Sequence, residues 1–467
     1  MNDIKTRAND FSKGSILKHI LRLAIPMTIA QLITILYNIV DRMFIGRIGG
    51  VETTDALTGV GVCLPIVTII MAFSNLIGAG AAPLISIERG RNNGEESESI
   101  LGNACSLLII VGISISVLGL CFKTPILKLL GASDATLPYA DSYITIYLIG
   151  AIFPVIALGL NSIINAQGFG KTGMLTIAIG AMLNIILDPI LIFVFNMGVA
   201  GAAIATVISQ IASAIWTVGF LLSKKATYTI KLRHMIRLNS RRIKKILSLG
   251  LAGFTMLATN AAVQMVCNMT LKQYGSDLYI GIMTIITSVR DILVLPVQGF
   301  SQGAQPVLGY NYGAEKNGRV KKAIKYMSVI LISYTVLAWM TVAVFPQFFI
   351  RIFTENADLL AGGVPALHIY FFGFFFMALQ FCAQTVFTAL DKPKQAVFFS
   401  MFRKIIIVVP MTVLLPIFWT PHVNGVFWAE PISNLIGGAA AFTTMILTVY
   451  KTVSYTHLRA HETVLDL

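Results

Sequence analysis

Charge is what this sequence has least of. Only 12% of its 467 residues are charged, against about a quarter in an ordinary soluble chain. At the same time 56% are hydrophobic and the mean hydropathy is +0.79. So much apolar surface cannot all be hidden in a soluble core, and much of it must face lipid. Paired cysteines are lacking too. Cys63, Cys105, Cys121, Cys267 and Cys382 each fall in an apolar segment with no CxxC spacing, which argues against a disulfide framework or a zinc site and leaves them as packing residues. The motifs of soluble catalysis are missing: there is no GxxxxGK[ST] phosphate loop, no HExxH and no GxSxG. Four of the six histidines, His19, His234, His368 and His422, are scattered, and His457 and His461 sit in the final segment. Nucleotide hydrolysis and metal or triad catalysis within this chain are therefore not expected, nor is any cofactor.

What is present is a series of apolar runs. Stretches long enough to span a bilayer occur at about 16–45, 56–86, 100–121, 137–166, 172–195, 199–222, 246–271, 279–311, 320–348, 362–390, 395–418 and 425–450. This predicts an all-α polytopic membrane protein of twelve transmembrane helices. Residues 1–18 are polar and basic, and the apolar run after them is too long for a signal-peptide core, so the first helix is expected to stay in the membrane. The net charge of +14 would suggest nucleic-acid binding in a soluble protein. Here the basic residues gather in alternate connections: the N-terminal tail, Arg89 and Arg91, Lys171, the 223–245 loop, Lys316 to Lys325, a group of Lys392, Lys394, Arg403 and Lys404, and Lys451. The opposite connections are poor in them, which places both termini in the cytoplasm.

The two halves resemble each other. Ile20-Leu-Arg-Leu-Ala-Ile answers Ile246-Leu-Ser-Leu-Gly-Leu, Gly80-Ala-Ala-Pro83 answers Gly303-Ala-Gln-Pro306, and Gly198-Val-Ala-Gly201 answers His422-Val-Asn-Gly425, all at an offset of 223–226 residues. Six helices per half is an even number, so the expected lobes have the same orientation and are related by a pseudo-twofold along the membrane normal. The predicted organisation is an N-terminal lobe over 1–222, a basic cytoplasmic linker over 223–245 and a C-terminal lobe over 246–452. Residues 453–467 are polar, unlike the rest, and resemble a read-through artefact. They are set aside as non-native, in which case a natural tail is missing.

Acids inside apolar segments are costly, about 2.5–3.5 kcal/mol each at mid-bilayer on insertion scales, and usually face a partner, a cavity or an ion. Asp41 lies toward the end of the first helix, with Tyr37 and Asn38 on its face. Asp188 follows Asn184 by one turn and precedes Pro189, and the sixth helix adds Thr206 and Gln210. Two acids with amide and hydroxyl neighbours suit a proton or Na+ site, the alternative being capping or an ion pair with Arg42 or Arg47. The counterpart of Asp41 in the second half is Cys267. Further polar residues available to a substrate cavity are Asn161, Gln264 and Asn268, Gln380 and Gln384, and the adjacent Arg290 and Asp291, which as neighbours on a helix point about 100° apart and are expected to need separate partners or water. Most of the 28 Phe, 14 Tyr and 18 Met serve packing or face lipid. A minority reading is a deformable vestibule for apolar cations.

Over roughly 10–452 the sequence resembles the multidrug and toxic compound extrusion (MATE) family. The resemblance rests on Tyr37-Asn-Ile-Val-Asp41 with Phe44-Ile-Gly46, on Asn184-Ile-Ile-Leu-Asp188-Pro189, and on Gln298-Gly-Phe-Ser-Gln-Gly-Ala-Gln-Pro306 followed by Gly309-Tyr-Asn-Tyr-Gly313, the last closest to bacterial multidrug exporters. It implies two six-helix bundles alternating in access, and a proton or Na+ site made of Asp41, Asn184, Asp188 and Thr206. It also implies export of small organic cations by a monomer embedded in the bilayer of the bacterial plasma (inner) membrane. Other branches carry an acid on helix 7 or 10, where this chain has Gln264 and Cys267 and no acid before Asp391, so an ion site in the second half is not carried over. The competing expectations are a lipid-linked oligosaccharide flippase of related architecture and, from another class, a membrane-embedded sensor or enzyme.

Overall fold

The computed structural model describes residues 10–48 and 52–450. The segment 453–467, expected to be non-native, lies outside the described residues. Among those described there are only helices and their connections. Ten are long and apolar enough to cross a membrane, and two bent pairs each make one further span, for twelve. In chain order the spans are α1 (Ile16–Ile45), α2 (Glu52–Gly90), α3 (Gly94–Leu129), α4 (Leu137–Ile149 with Ile152–Ala166), α5 (Gly170–Val194) and α6 (Gly198–Leu222). The second half has α7 (Ser240–Tyr274), α8 (Asp277–Gly313), α9 (Asn317–Val344), α10 (Ala357–Phe371 with Phe376–Ala389), α11 (Pro393–Phe418) and α12 (His422–Tyr450).

Several spans run past the apolar stretches that predict them. A helix of 36 residues such as α3 is about 54 Å long, whereas the hydrocarbon core is about 30 Å thick. Its first turns, capped by the Asn93 side chain on the Glu96 amide, therefore stand clear of the lipid. Large apolar side chains such as Leu36, Met182, Ile215 and Leu337 are exposed, as lipid-facing positions must be.

The helices form two compact units, one of Ile25–Gly250 and the other of Phe11–Ala24 with Leu251 onward. The division falls not in the basic connection but inside α1 and α7. In the first unit Ile246 and Leu249 of α7 join a core with Ile77, Leu101, Tyr147 and Leu160. Glycine admits this crossing: a side-chain carbon at Gly250 would overlap the Leu76 carbonyl, and one at Gly80 would overlap that of Ile246. In the second unit Ile16, Ile20 and Leu23 of α1 join a core with Val307, Met327, Ala383 and Met445, and a side-chain carbon at Gly303 would meet the Ala24 backbone nitrogen at 2.5 Å. Gly80 and Gly303 head the sequence landmarks that match between the halves. Their shared job is to let a first helix pass close, the use of small residues typical of helix contacts in lipid.

Other repeats are visible within the units. The bend of α4 (55°) falls at Gly150–Ala151, and that of α10 (49°) at Phe372–Phe375, where Gly373 has φ +72°. Both α5 and α11 contain a π-helical turn, at Ile190–Val194 and Phe402–Val408.

The segment 223–245, predicted as a linker, belongs to the first unit and is built onto it. A short helix, Leu232–Ile236, lies against α3. There the buried Asn103 donates to the carbonyls of His234 and Arg237 and accepts from the Asn239 amide. Arg242 grips Glu96 with two bonds of 2.6 and 2.7 Å, and Gln167 accepts from the amides of Thr227 and Tyr228.

Candidate functional site

In the first unit the buried face of α5 is a stripe at helical spacing: Thr176, Gly180, Asn184 and Asp188. It packs on α6, whose buried face is equally polar, with Thr206, Ser209, Ser213 and Thr217. Ser213 donates to the Thr176 carbonyl at 3.0 Å beside Gly180. Hydroxyl groups can line such a seam because each donates its proton to a backbone carbonyl, either across the seam as Ser213 does or one turn back as Thr206 does to Ala202 at 3.0 Å. The oxygen that remains is an acceptor.

At the end of this seam the Asn184 amide donates to Asp188 Oδ1 at 3.1 Å and to Thr206 Oγ1 at 3.4 Å. Both its protons are then spent. Asp188 is fully buried, and its Oδ2, together with Asn184 Oδ1, has no donor. The Asp41 carboxyl of α1, half-buried, lies against that of Asp188, close enough to share a proton. On the other side stand two buried rings of α4, Tyr143 and Tyr147, stacked with centroids 6.2 Å apart. Tyr37 and Asp41 are neighbours of Tyr143, and the Tyr147 hydroxyl is without a hydrogen bond.

Asp188 therefore faces an amide and another carboxyl rather than a protein cation. Buried acceptors in excess of donors are costly unless something positive joins them. A proton shared between the two carboxyls or a small cation among these oxygens would satisfy the group. The sequence names Asp41, Asn184, Asp188 and Thr206, and the fold brings all four together. Tyr37 belongs to the same neighbourhood. Asn38 is exposed, Gln210 is partly buried one turn past Thr206 with no hydrogen bond to the group, and Asn161 is buried on α4 with its side-chain oxygen undonated. Tyr143 and Tyr147 are additions that an apolar reading of α4 passes over.

The second unit holds a different polar group, most of which sequence reasoning misplaces. Arg403 and Lys404, grouped above with the cytoplasmic connections, are 5% and 4% exposed in the π-helical part of α11. Arg403 donates to Glu430 Oε1 at 2.8 Å and to Asn434 Oδ1 at 2.7 Å, and Lys404 Nζ reaches the same carboxylate at 3.3 Å. Glu430 is itself a buried acid of α12 that the survey of intramembrane acids passes over. Signals exist for both: Glu430 stands in a predicted helix before Pro431, and Arg403-Lys404 lies inside the apolar run predicted at 395–418.

Beside Glu430 is a cavity of about 20 Å3, room for a water, walled in part by Gln264, Cys267, Arg290, Tyr370 and Thr412. Arg290 donates to the Tyr370 hydroxyl at 3.1 Å and, through Nη2, to Asp291 at 2.7 Å. Arg290 and Asp291, expected to need separate partners or water, also pair with each other: Arg290 keeps Tyr370 as a partner of its own, and its long guanidinium arm folds back onto a carboxylate that is 61% exposed. Gln264 and Asn268 bond each other at 3.1 Å. Gln380 and Gln384 do not reach this cavity's wall. They donate to the carbonyls of Phe399 and Ala396, tying α10 to α11. Among the described residues no three His, Cys, Asp or Glu side chains converge as a metal centre.

A family model described as MatE matches residues 26–190 and again 252–414. The chain belongs to the MatE family. Members are transporters, so this chain is a membrane transporter and not an enzyme. The two matches begin at positions equivalent under the repeat seen in the sequence. The multidrug export protein MepA of Staphylococcus aureus (strain MSSA476) is 24% identical over 439 residues, covering 94% of this MatE chain and 95% of its own. MepA of Staphylococcus haemolyticus (strain JCSC1435) is also 24% identical, covering 94% of each. Among solved structures, MATE in a bent conformation superposes with a TM-score of 0.89 at 22% identity, over 95% of this chain and 97% of that one. A MOP superfamily transporter from Pyrococcus furiosus gives 0.87 at 22%, over 94% and 98%. These similarities establish the MATE fold of twelve helices.

Proposed function

We propose that this MatE transporter exports small organic cations across the bacterial plasma membrane in exchange for H+ or Na+, with Asp41, Asn184, Asp188 and Thr206 as the site of the coupling ion. The observation that carries this reading is the fully buried Asp188 carboxylate, set against a second carboxyl and an amide with acceptor oxygens left over. The MepA relatives, named as multidrug export proteins, support the drug substrate, and the basic connections support cytoplasmic termini. The chain acts as a monomer, a reading supported by the Asp188 group and the Glu430 group each being drawn from helices of a single chain.

An inward ion moving through 100 mV releases about 2.3 kcal/mol per charge, enough to drive a modest outward gradient. Coupling requires the ion to have different affinity in the inward-open and outward-open states. Binding of a proton removes a charge from the Asp41–Asp188 pair and so changes how much hydration that pair demands. The test is ethidium efflux from reconstituted vesicles under separately imposed proton and Na+ gradients. Efflux under one of them, lost in Asp41→Asn and Asp188→Asn proteins that still insert, supports the reading; wild-type rates in both variants sink it.

A second reading draws on the second unit, where Arg290, Arg403 and Lys404 outnumber the acids. An interior with surplus cations suits an anionic head group, as in a lipid-linked oligosaccharide flippase. Labelled lipids offered to the same vesicles discriminate the two.

A further inference from the structure

Among the described residues, the buried charges of the second unit do not balance. Arg403 and Lys404 share one carboxylate, Glu430, and all three are under a tenth exposed. Arg290 has its own counter-ion in Asp291, so the excess positive charge belongs to the α11–α12 triad. The remaining groups facing it do not cancel that charge. Asn434 accepts from Arg403, and Cys267 and Tyr370 are a neutral thiol and a neutral phenol. An unbalanced charge in a membrane-spanning interior is expensive. An arginine cannot relieve it by losing a proton, whereas a lysine can.

We propose that Lys404 is a second proton-exchanging group of this transporter, releasing its proton to bring the Arg403–Lys404–Glu430 triad to neutrality. In the step one Nζ–H bond breaks and the electron pair stays on nitrogen. The proton passes to the Glu430 carboxylate, 3.3 Å away, and from there to a water in the adjoining cavity that Glu430 lines. What remains is an uncharged amine beside a one-to-one Arg403–Glu430 ion pair. The triad beside the cavity, net positive while Lys404 is charged, becomes neutral and ceases to repel an organic cation approaching this unit, so cation entry and proton release are linked. That role in transport rests on the antiport reading above; the proton on Lys404 does not.

The experiment uses the purified full-length protein with Lys404→Met, always uncharged, and Lys404→Arg, always charged. In a weakly buffered detergent solution without any cation, the acid–base titration of the wild type should exceed that of each variant by one proton equivalent across the neutral range. Superimposable curves overturn the proposal. In an Asp41→Asn and Asp188→Asn background, tetraphenylphosphonium should bind about tenfold tighter per pH unit with one proton released. Adding Lys404→Met should remove that pH dependence and leave tight binding, while Lys404→Arg should remove it and leave weak binding. A pH dependence unchanged by both substitutions also overturns the proposal. Failure of the antiport reading is seen separately, as wild-type vesicles that move no ethidium while the cation-free titration still reports the Lys404 proton.

Discussion

The first unit gathers acids and the second gathers bases, although both descend from one repeated pattern. In the first, Asp188 meets Asp41 and an amide, and no cation is seen to bond Asp188 among the described residues. In the second, Arg403 and Lys404 crowd onto Glu430, and the group has too much of it. The scaffolding around them stays similar: a bent helix at α4 and α10, and a π-helical turn at α5 and α11. Helix geometry in the two halves is thus preserved while the buried charge is inverted. The lesson is that in a low-dielectric interior a deficit or an excess of one charge is itself a functional property, because a mobile ion or proton must make it good.

The strongest way to break the contrast is Asp188→Asn, which leaves the first unit one carboxyl in place of two. Ethidium efflux from vesicles should fall to the passive leak. Next is Glu430→Gln, which leaves two buried cations without their acid. Removing one partner of a buried ion pair costs about 3–5 kcal/mol, seen as a large fall in melting temperature in detergent, and adding Lys404→Met should recover part of it. Gly250→Leu and Gly303→Leu test whether the two scaffolds are equivalent. Each forces a side chain into the backbone of a crossing helix, at about 1–3 kcal/mol, and the two melting shifts should match. The smallest effect is expected from Asn103→Ala, which undocks the 223–245 segment peculiar to the first unit. Losing the buried side chain's bonds costs about 1–3 kcal/mol locally, read as faster protease cutting near Tyr228 with little change in global melting.

The spans were legible because an apolar run of spanning length is rarely anything but a membrane helix, and the acid site was legible because Asp41 and Asp188 are rare letters in such runs. Glu430, Arg403 and Lys404 are rare letters in apolar runs too. They escaped because a basic pair beside Lys392 and Lys394 reads as the edge of a cytoplasmic connection, while the α11 span begins at Pro393 and places the pair near its middle. Arg290 and Asp291 show the limit of face arithmetic: Cβ directions diverge by about 100°, yet a side chain with four rotatable bonds can turn back. The role of 223–245 was hidden because basic composition marks the side of the membrane and says nothing of whether a segment is tethered. Asn103, in a predicted helix, and Gln167, just past the end of another, tether it from far away in sequence.

The division inside α1 and α7 bears on how the molecule can be taken apart. Each half of the chain lends the opening turns of its first helix to the other half's core: Ile16, Ile20 and Leu23 to the second unit, Ile246 and Leu249 to the first. A cut in the basic segment would therefore yield two fragments that are each short of a buried strip and carry a surplus one. Neither half is a self-sufficient module, and the two must be made together to be made whole.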